Sequence, residues 1–200
     1  GLWGRSRLIR SDFPEGEVLA SIPLAPEHFG EGVTVMGDEV FQLTYTSRLC
    51  LVYDRESLEV KRTFSYPTEG WGLTHDGEAL IMSDGSATLR FLDPSSGAEL
   101  RRVEVAGARG PVKFLNELEY VDGHVYANIW KTDLIAAINP ETGAVTAWID
   151  LAGLNPDPDR LVDPYVLNGI AWARESGDLL VTGKCWPYLY RISLRPADGG

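Results

Sequence analysis

At 200 residues, 44% hydrophobic and 24% charged, the chain has the size and composition of one globular domain with a sizeable core. Its 29 acidic residues against 18 basic ones give a net charge of −11, which excludes a nucleic-acid surface because that needs a basic face to displace counterions. No apolar run reaches the roughly 20 residues of a membrane span, and no leader pattern is readable from Gly1 onward, which fits a leader having stood upstream.

Alternation with a period of two dominates the sequence, and short Val/Ile/Leu/Tyr/Trp runs are punctuated by Gly, Asp and Pro. Two kinds of predicted hairpin alternate along the chain. The first kind opens it with SRLIRSDFPEGEVLASIPL (6–24), and the second follows as EGVTVMGDEVFQLTY (31–45). LCLVYDRESLEVKRTFSY (49–66) returns to the first kind and WGLTHDGEALIMSDG (71–85) to the second. The alternation continues with TLRFLDPSSGAELRRVEV (88–105), NELEYVDGHVYANIW (116–130), LIAAINPETGAVTAWIDL (134–151) and NGIAWARESGDLLVTGK (168–184). An incomplete copy, YLYRISL (188–194), comes last.

Starts of the second kind lie 40, 45 and 52 residues apart, the size of a propeller blade built from two hairpins. The expected fold is therefore all-β: a five-bladed β-propeller of four-stranded antiparallel blades, forming a single domain over residues 1–200. Five outer hairpins against four inner ones predict that an N-terminal hairpin, with the outermost strand of the last blade, belongs to sequence before Gly1.

In a propeller the innermost strands line the channel and their starts face one mouth. Glu31, Trp71, Asn116 and Asn168 are then equivalent, as are the strand ends Tyr45, Asp84, Trp130 and Lys184. β-Structure does not require such residues there, whereas a small-ligand pocket draws on polar and aromatic groups of this sort. The glycines of Gly30-Glu31-Gly32 are expected to let the chain turn sharply and a ligand approach the backbone.

The stretches FGEGVTVMGDEVFQLTY, EGWGLTHDG, SDGSATLRFLDP, LNELEYVDGHVYANIWKTD, LNGIAWA and VTGKCWPYLYRI resemble the glutamine cyclotransferases of the plant and bacterial type. The resemblance runs in one order from about Gly1 to Arg195. It implies a five-bladed propeller that cyclises the N-terminal glutamine of peptides to pyroglutamate and releases ammonia, without a metal or other cofactor. Glu31 matches the family's catalytic acid, and that role calls for a carboxyl with a raised pKa. Trp71 and Trp130 match its pocket tryptophans, while Asn116 and Lys184 match polar pocket positions. Many relatives carry tryptophan where this chain has Tyr45. The partners implied are peptides or proteins bearing N-terminal glutamine, with the enzyme monomeric and periplasmic or extracellular. The family also has an opening blade segment ahead of the point where this sequence starts.

Each assignment has a plainer counterpart. Without the resemblance Glu31 reads as an exposed rim carboxylate; Trp71 and Trp130 also read as packing, and Lys184 as a solvated strand end. Asn168 and Glu117 are explained as well by structural hydrogen bonds. His28, His75 and His124 lack metal-ligand spacing and read as surface residues. Cys50 and Cys185 read as two small buried hydrophobes. The rival functions are a non-catalytic propeller binding module and, more remotely, a propeller lactonase or lyase, which would call for a metal-ligating cluster at the mouth.

Overall fold

The structure is a computed structural model and describes residues 1–155 and 165–195. The described residues form strands and turns without a helix. The chain separates into two compact units, one of Gly1–Asp84 with Arg90–Arg102, the other of Gly85–Leu89 with Val103–Gly200.

The first unit opens with a two-stranded hairpin, β1 (Arg7–Ser11) and β2 (Val18–Pro23). A four-stranded antiparallel sheet follows in chain order: β3 (Gly30–Met36), β4 (Glu39–Thr44), β5 (Leu49–Asp54) and β6 (Val60–Ser65). A second sheet of four consists of β7 (Leu73–His75), β8 (Leu80–Met82), β9 (Thr88–Leu92) and β10 (Glu99–Glu104); the unit boundary passes through its last two strands.

In the second unit a short hairpin, β11 (Ala106–Gly107) with β12 (Gly110–Pro111), precedes a third four-stranded sheet. That sheet holds β13 (Leu115–Val121), β14 (His124–Ile129), β15 (Leu134–Ile138) and β16 (Val145–Asp150). A three-stranded sheet ends the described chain: β17 (Leu167–Ala173), β18 (Asp178–Gly183) and β19 (Tyr190–Ile192). The strand pairs follow the two alternating hairpin kinds predicted from sequence, and each four-stranded sheet is one blade-type unit.

Alternation sets which face of each blade is buried. In the first unit Phe41, Leu43, Val52, Phe64, Leu73, Leu80, Met82 and Leu92 form one cluster from β4–β6 and β7–β9. Burying each such side chain contributes roughly 1.5–3 kcal/mol before entropy is counted. A smaller cluster of Leu8, Val40, Tyr53 and Leu58 attaches the β1–β2 hairpin to the first sheet. In the second unit Val121, Ile135, Leu167, Ile170, Leu179 and Val181 play the same part.

The outer hairpins share one turn chemistry. Asp54, Asp93 and Asn139 each use Oδ1 to accept backbone N–H groups two and three residues ahead, at 2.8–3.1 Å. Four residues on, the chain turns left-handed, at Leu58 (φ 58°), Gly97 (φ 73°) and Gly143 (φ 72°). Leucine tolerates that conformation because its side chain is buried against Leu8 and Tyr53.

One of the two cysteines differs from expectation. Cys50 is fully buried, and desolvation pushes its thiol up to about 12. Cys185 is exposed, because the chain leaves β18 in a left-handed turn there (φ 60°). Both are free thiols.

Candidate active site

Every inner hairpin carries the same irregularity. Gly30 pairs with Thr44 and Val33 with Gln42, so Glu31 and Gly32 together face Leu43. Asn116 and Glu117 face Asn128, and Asn168 and Gly169 face Thr182, in the same way. Ahead of β7, Trp71 N–H donates to Ser83 O at 3.0 Å while Ser83 N–H donates to Gly72 O at 3.1 Å, again two residues against one. These are β-bulges, which kink a strand and re-aim the side chain at the extra residue. The four equivalent openings inferred from sequence are thus four equivalent bulges. Three of the strand ends also match: the N–H groups of Tyr45, Trp130 and Lys184 each donate at 2.9 Å, to Phe29, Phe114 and Val166 carbonyls.

The flanking glycines serve a purpose other than the predicted turn. Neither Gly30 nor Gly32 has a positive φ. A Cβ on Gly32 would lie 2.6 Å from Leu73 N and 2.7 Å from Gly72 C. Glycine lets β3 approach the start of β7 closely enough for Gly32 N–H to donate to Trp71 O at 2.8 Å.

In the first unit this contact brings three predicted residues together. Glu31 is half-buried at its bulge, and the Trp71 carbonyl is bonded to the next residue. The Trp71 indole Nε1 donates to Glu69 Oε2 at 3.2 Å. Tyr45 O accepts from Gly70 N–H at 3.2 Å, and the Tyr45 ring meets Phe29 edge-on at 6.1 Å. Burial, then the Glu69 charge and a hydrogen bond to its carboxylate, and finally the charge of Glu31 all hold the Tyr45 hydroxyl protonated above its ordinary range. Tyr66, buried below, donates to Thr44 O and accepts from Thr44 N–H at 3.0 Å. Its hydroxyl is also pushed up, mainly by desolvation, with a contribution from Glu31. Glu31 therefore sits among hydroxyls and rings that feel its charge.

The second unit holds the other three. Asn116 is buried at its bulge. Trp130 ends the following strand, with Phe114 at 6.3 Å between ring centroids and Lys131 Nζ at 4.3 Å from its own ring. Lys184 is half-buried at the corresponding end of β18. Glu117 Oε2 accepts Ile170 N–H at 2.8 Å and Glu119 Oε1 accepts Trp172 N–H at 3.0 Å. Fully buried Asn128 accepts Gly169 N–H at 2.9 Å. These side chains join β13 and β14 to β17, the structural reading of Glu117. Desolvation, eased by the Ile170 N–H, raises the Glu117 carboxyl well above the usual range.

The histidines are placed separately. His28 meets Ser47 Oγ at 3.0 Å, His75 Nε2 meets Val35 O at 2.9 Å, and His124 Nδ1 meets Asp122 O at 3.3 Å. Glu69 and Tyr66 escape the sequence argument. The one signal for Glu69 is the Glu-Gly pair before Trp71, which repeats the Glu31-Gly32 pair.

At the level of fold, the WD40 β-propeller domain of Doa1 matches at 15% identity and a TM-score of 0.56, over 92% of this chain and 57% of that one. The fold is all-β and propeller-like. The chain belongs to the glutamine cyclotransferase family, whose pattern matches residues 1–194. It is 39% identical to a glutaminyl-peptide cyclotransferase of Arabidopsis thaliana over 203 residues, covering 99% of this chain and 63% of that protein. It therefore spans less than two thirds of the length of that relative. The crystal structure of Myxococcus xanthus glutaminyl cyclase matches with a TM-score of 0.89 and 34% identity, over 96% of this chain and 83% of that one.

Proposed function

We propose that this protein is a glutaminyl-peptide cyclotransferase that converts N-terminal glutamine to pyroglutamate. The observation that carries the reading is Glu31: a half-buried carboxylate on a bulge, beside Trp71 and Tyr45, at the position matching the family's catalytic acid.

The chemistry divides into three demands. The glutamine side chain must be folded so that its amide carbon lies near the α-amine, a largely entropic task. Aromatic walls do this, and the proposal gives that role to Trp71, Trp130 and Tyr45. The neutral amine then attacks the amide carbon and loses a proton, which Glu31 accepts. A tetrahedral centre bearing an oxyanion forms. Glu31 returns the proton to the amide nitrogen, the C–N bond breaks, and ammonia leaves the five-membered lactam. Lys184 stabilises the oxyanion and Asn116 hydrogen-bonds the bound glutamine in this scheme. Every step is a proton transfer or a carbon–nitrogen bond change, so the scheme runs without a metal.

Ammonia release from a Gln-initiated dipeptide tests it. Glu31→Gln should lower kcat about 100-fold or more, the scale of losing general acid–base catalysis, while the wild-type rate survives chelators. A wild-type chain that binds the peptide and releases no ammonia would favour the binding-module reading instead.

The same proposal treats the blades as one domain of a five-bladed propeller, supported by the recurrence of the outer hairpin. It takes the protein as monomeric and exported, as the family resemblance implies. Crystallography, sizing and cell fractionation of the natural protein test these points. Among the described residues no helix is long and apolar enough to cross a membrane.

A further inference from the structure

Glu69 has no part in the scheme above, yet it bonds one of the aromatic side chains that scheme uses, Trp71, and the next residue, Gly70, bonds the backbone of another, Tyr45. We propose that Glu69 is a positioning residue: its carboxylate holds the Tyr45 hydroxyl and the Trp71 indole as one clamp beside Glu31. The inference rests on the cyclotransferase reading and adds a specificity and alignment device to it.

The geometry has three parts. First, the root of Glu69 is fixed. Gly70 N–H donates to Tyr45 O at 3.2 Å, Trp71 N–H to Ser83 O at 3.0 Å, and Gly72 N–H to Ser83 Oγ at 2.8 Å. Gly70 is packed so closely that a Cβ there would lie 2.5 Å from the Tyr66 hydroxyl oxygen. Second, the carboxylate accepts from Trp71 Nε1 at 3.2 Å and lies close enough to the Tyr45 hydroxyl for its charge to favour the protonated form, which makes that hydroxyl the second donor of the proposed clamp. A carboxylate accepts at both oxygens, so one group can orient two rings. Third, the clamped rings adjoin the bulge that carries Glu31, through the Gly32 N–H to Trp71 O bond at 2.8 Å. A ring locked by a charged hydrogen bond presents one fixed wall, which is what folding a flexible side chain into a ring-closing shape requires.

The clamp also accounts for tyrosine at position 45. Phenylalanine would leave Glu69 with one donor. Tyrosine or tryptophan supplies the second, through O–H or indole N–H.

Steady-state kinetics of the whole protein test this. Glu69→Gln has one acceptor oxygen and can hold one ring. It should lower kcat about tenfold with KM changed less than about threefold, because alignment acts mainly on the chemical step. Tyr45→Phe should lower kcat too, and Glu69→Gln should cost less in that background than alone. Wild-type kcat in Glu69→Gln overturns the clamp, as does strict additivity with Tyr45→Phe, or a loss that merely tracks the folded fraction. Tyrosinate absorbance, read as the difference from Tyr45→Phe, gives an answer that needs no turnover. Glu69→Gln should lower the Tyr45 titration while leaving it above the ordinary tyrosine range, because burial, the largest cause of the shift, and the Glu31 charge remain. If it does not move, the clamp is wrong. If the wild-type protein releases no ammonia while Tyr45 shifts as expected, the cyclotransferase reading fails and the clamp stands as a fixed aromatic pair.

Discussion

Glu31 shows what a single residue gains from its neighbours. Between two glycines it looks unshielded, and the sequence suggests a sharp turn. Gly32 instead keeps a side chain out of a crowded contact, so that the start of β7 can lie against β3 and Trp71 stands beside the bulge that carries Glu31. Gly32→Ala should therefore do more than strain one strand. Its Cβ would enter the space of Leu73 N and Gly72, where the opposing atoms are backbone and cannot rotate away. The expected cost is on the order of 2 kcal/mol in stability, together with a loss of turnover at least about tenfold as Trp71 shifts relative to Glu31. Urea unfolding and ammonia release measure the two; a stable variant with the wild-type rate would refute the contact's importance. The place of Glu69 was not legible in the sequence, because its hydrogen bond from Trp71 and its nearness to Tyr45 depend on where three backbone segments cross.

At the level of the hairpin, one turn design is used repeatedly with different local demands. Gly97 and Gly177 both have left-handed backbones, at φ 73° and 74°. A Cβ on Gly97 would lie 2.1 Å from Phe64 Cδ2, whereas nothing lies within 4 Å at Gly177. Gly177→Ala should cost the backbone term alone, roughly 1 kcal/mol. Gly97→Ala adds displacement of a buried ring and should exceed roughly 2 kcal/mol. Thermal melts of the two variants check the difference, and equal shifts would show that Phe64 moves aside without cost. Hairpins of this sort were readable because their turn residues and period-two alternation are local signals. The strand pairing, the two kinds of hairpin and the equivalence of the opening positions all follow from them. The bulges were not readable, since a one-residue slip leaves no mark on composition. Nor was the small β11–β12 hairpin, whose AG and GP strands lack any alternation. Cys185 was misjudged for a related reason: its apolar neighbours suggest a strand, while the backbone has already turned out of β18.

For the whole molecule, acid tolerance is set by carboxylates whose folded and unfolded pKa values differ. Glu39 is bound bidentately by Arg62, at 2.5 and 2.8 Å, and by Lys61 at 2.8 Å, which lowers its carboxyl from 4.5 to about 2. Its contribution is complete above pH about 4.5 and is lost as the pH falls toward 2. Because Arg62 and Lys61 are partly exposed, that contribution is on the order of 1 kcal/mol. Glu39→Gln should flatten the fall in stability between those pH values, followed by urea midpoints; an unchanged slope would place the acid sensitivity elsewhere. Buried Glu117 acts with the opposite sign, since its raised pKa makes its contribution decline as the pH climbs above 4.5. The repeated bulge leaves the sequence a freedom that the paired positions lack. Where such a unit recurs along a chain, its bulge recurs with it, and the side chain at the extra residue is not fixed by a directly opposed partner. Its identity can drift while the ladder around it keeps its partners. Glu31, Trp71, Asn116 and Asn168 are what one recurring backbone feature holds: an acid, an indole and two amides. A recurring backbone irregularity thus leaves four places where the choice of side chain is not dictated by the sheet.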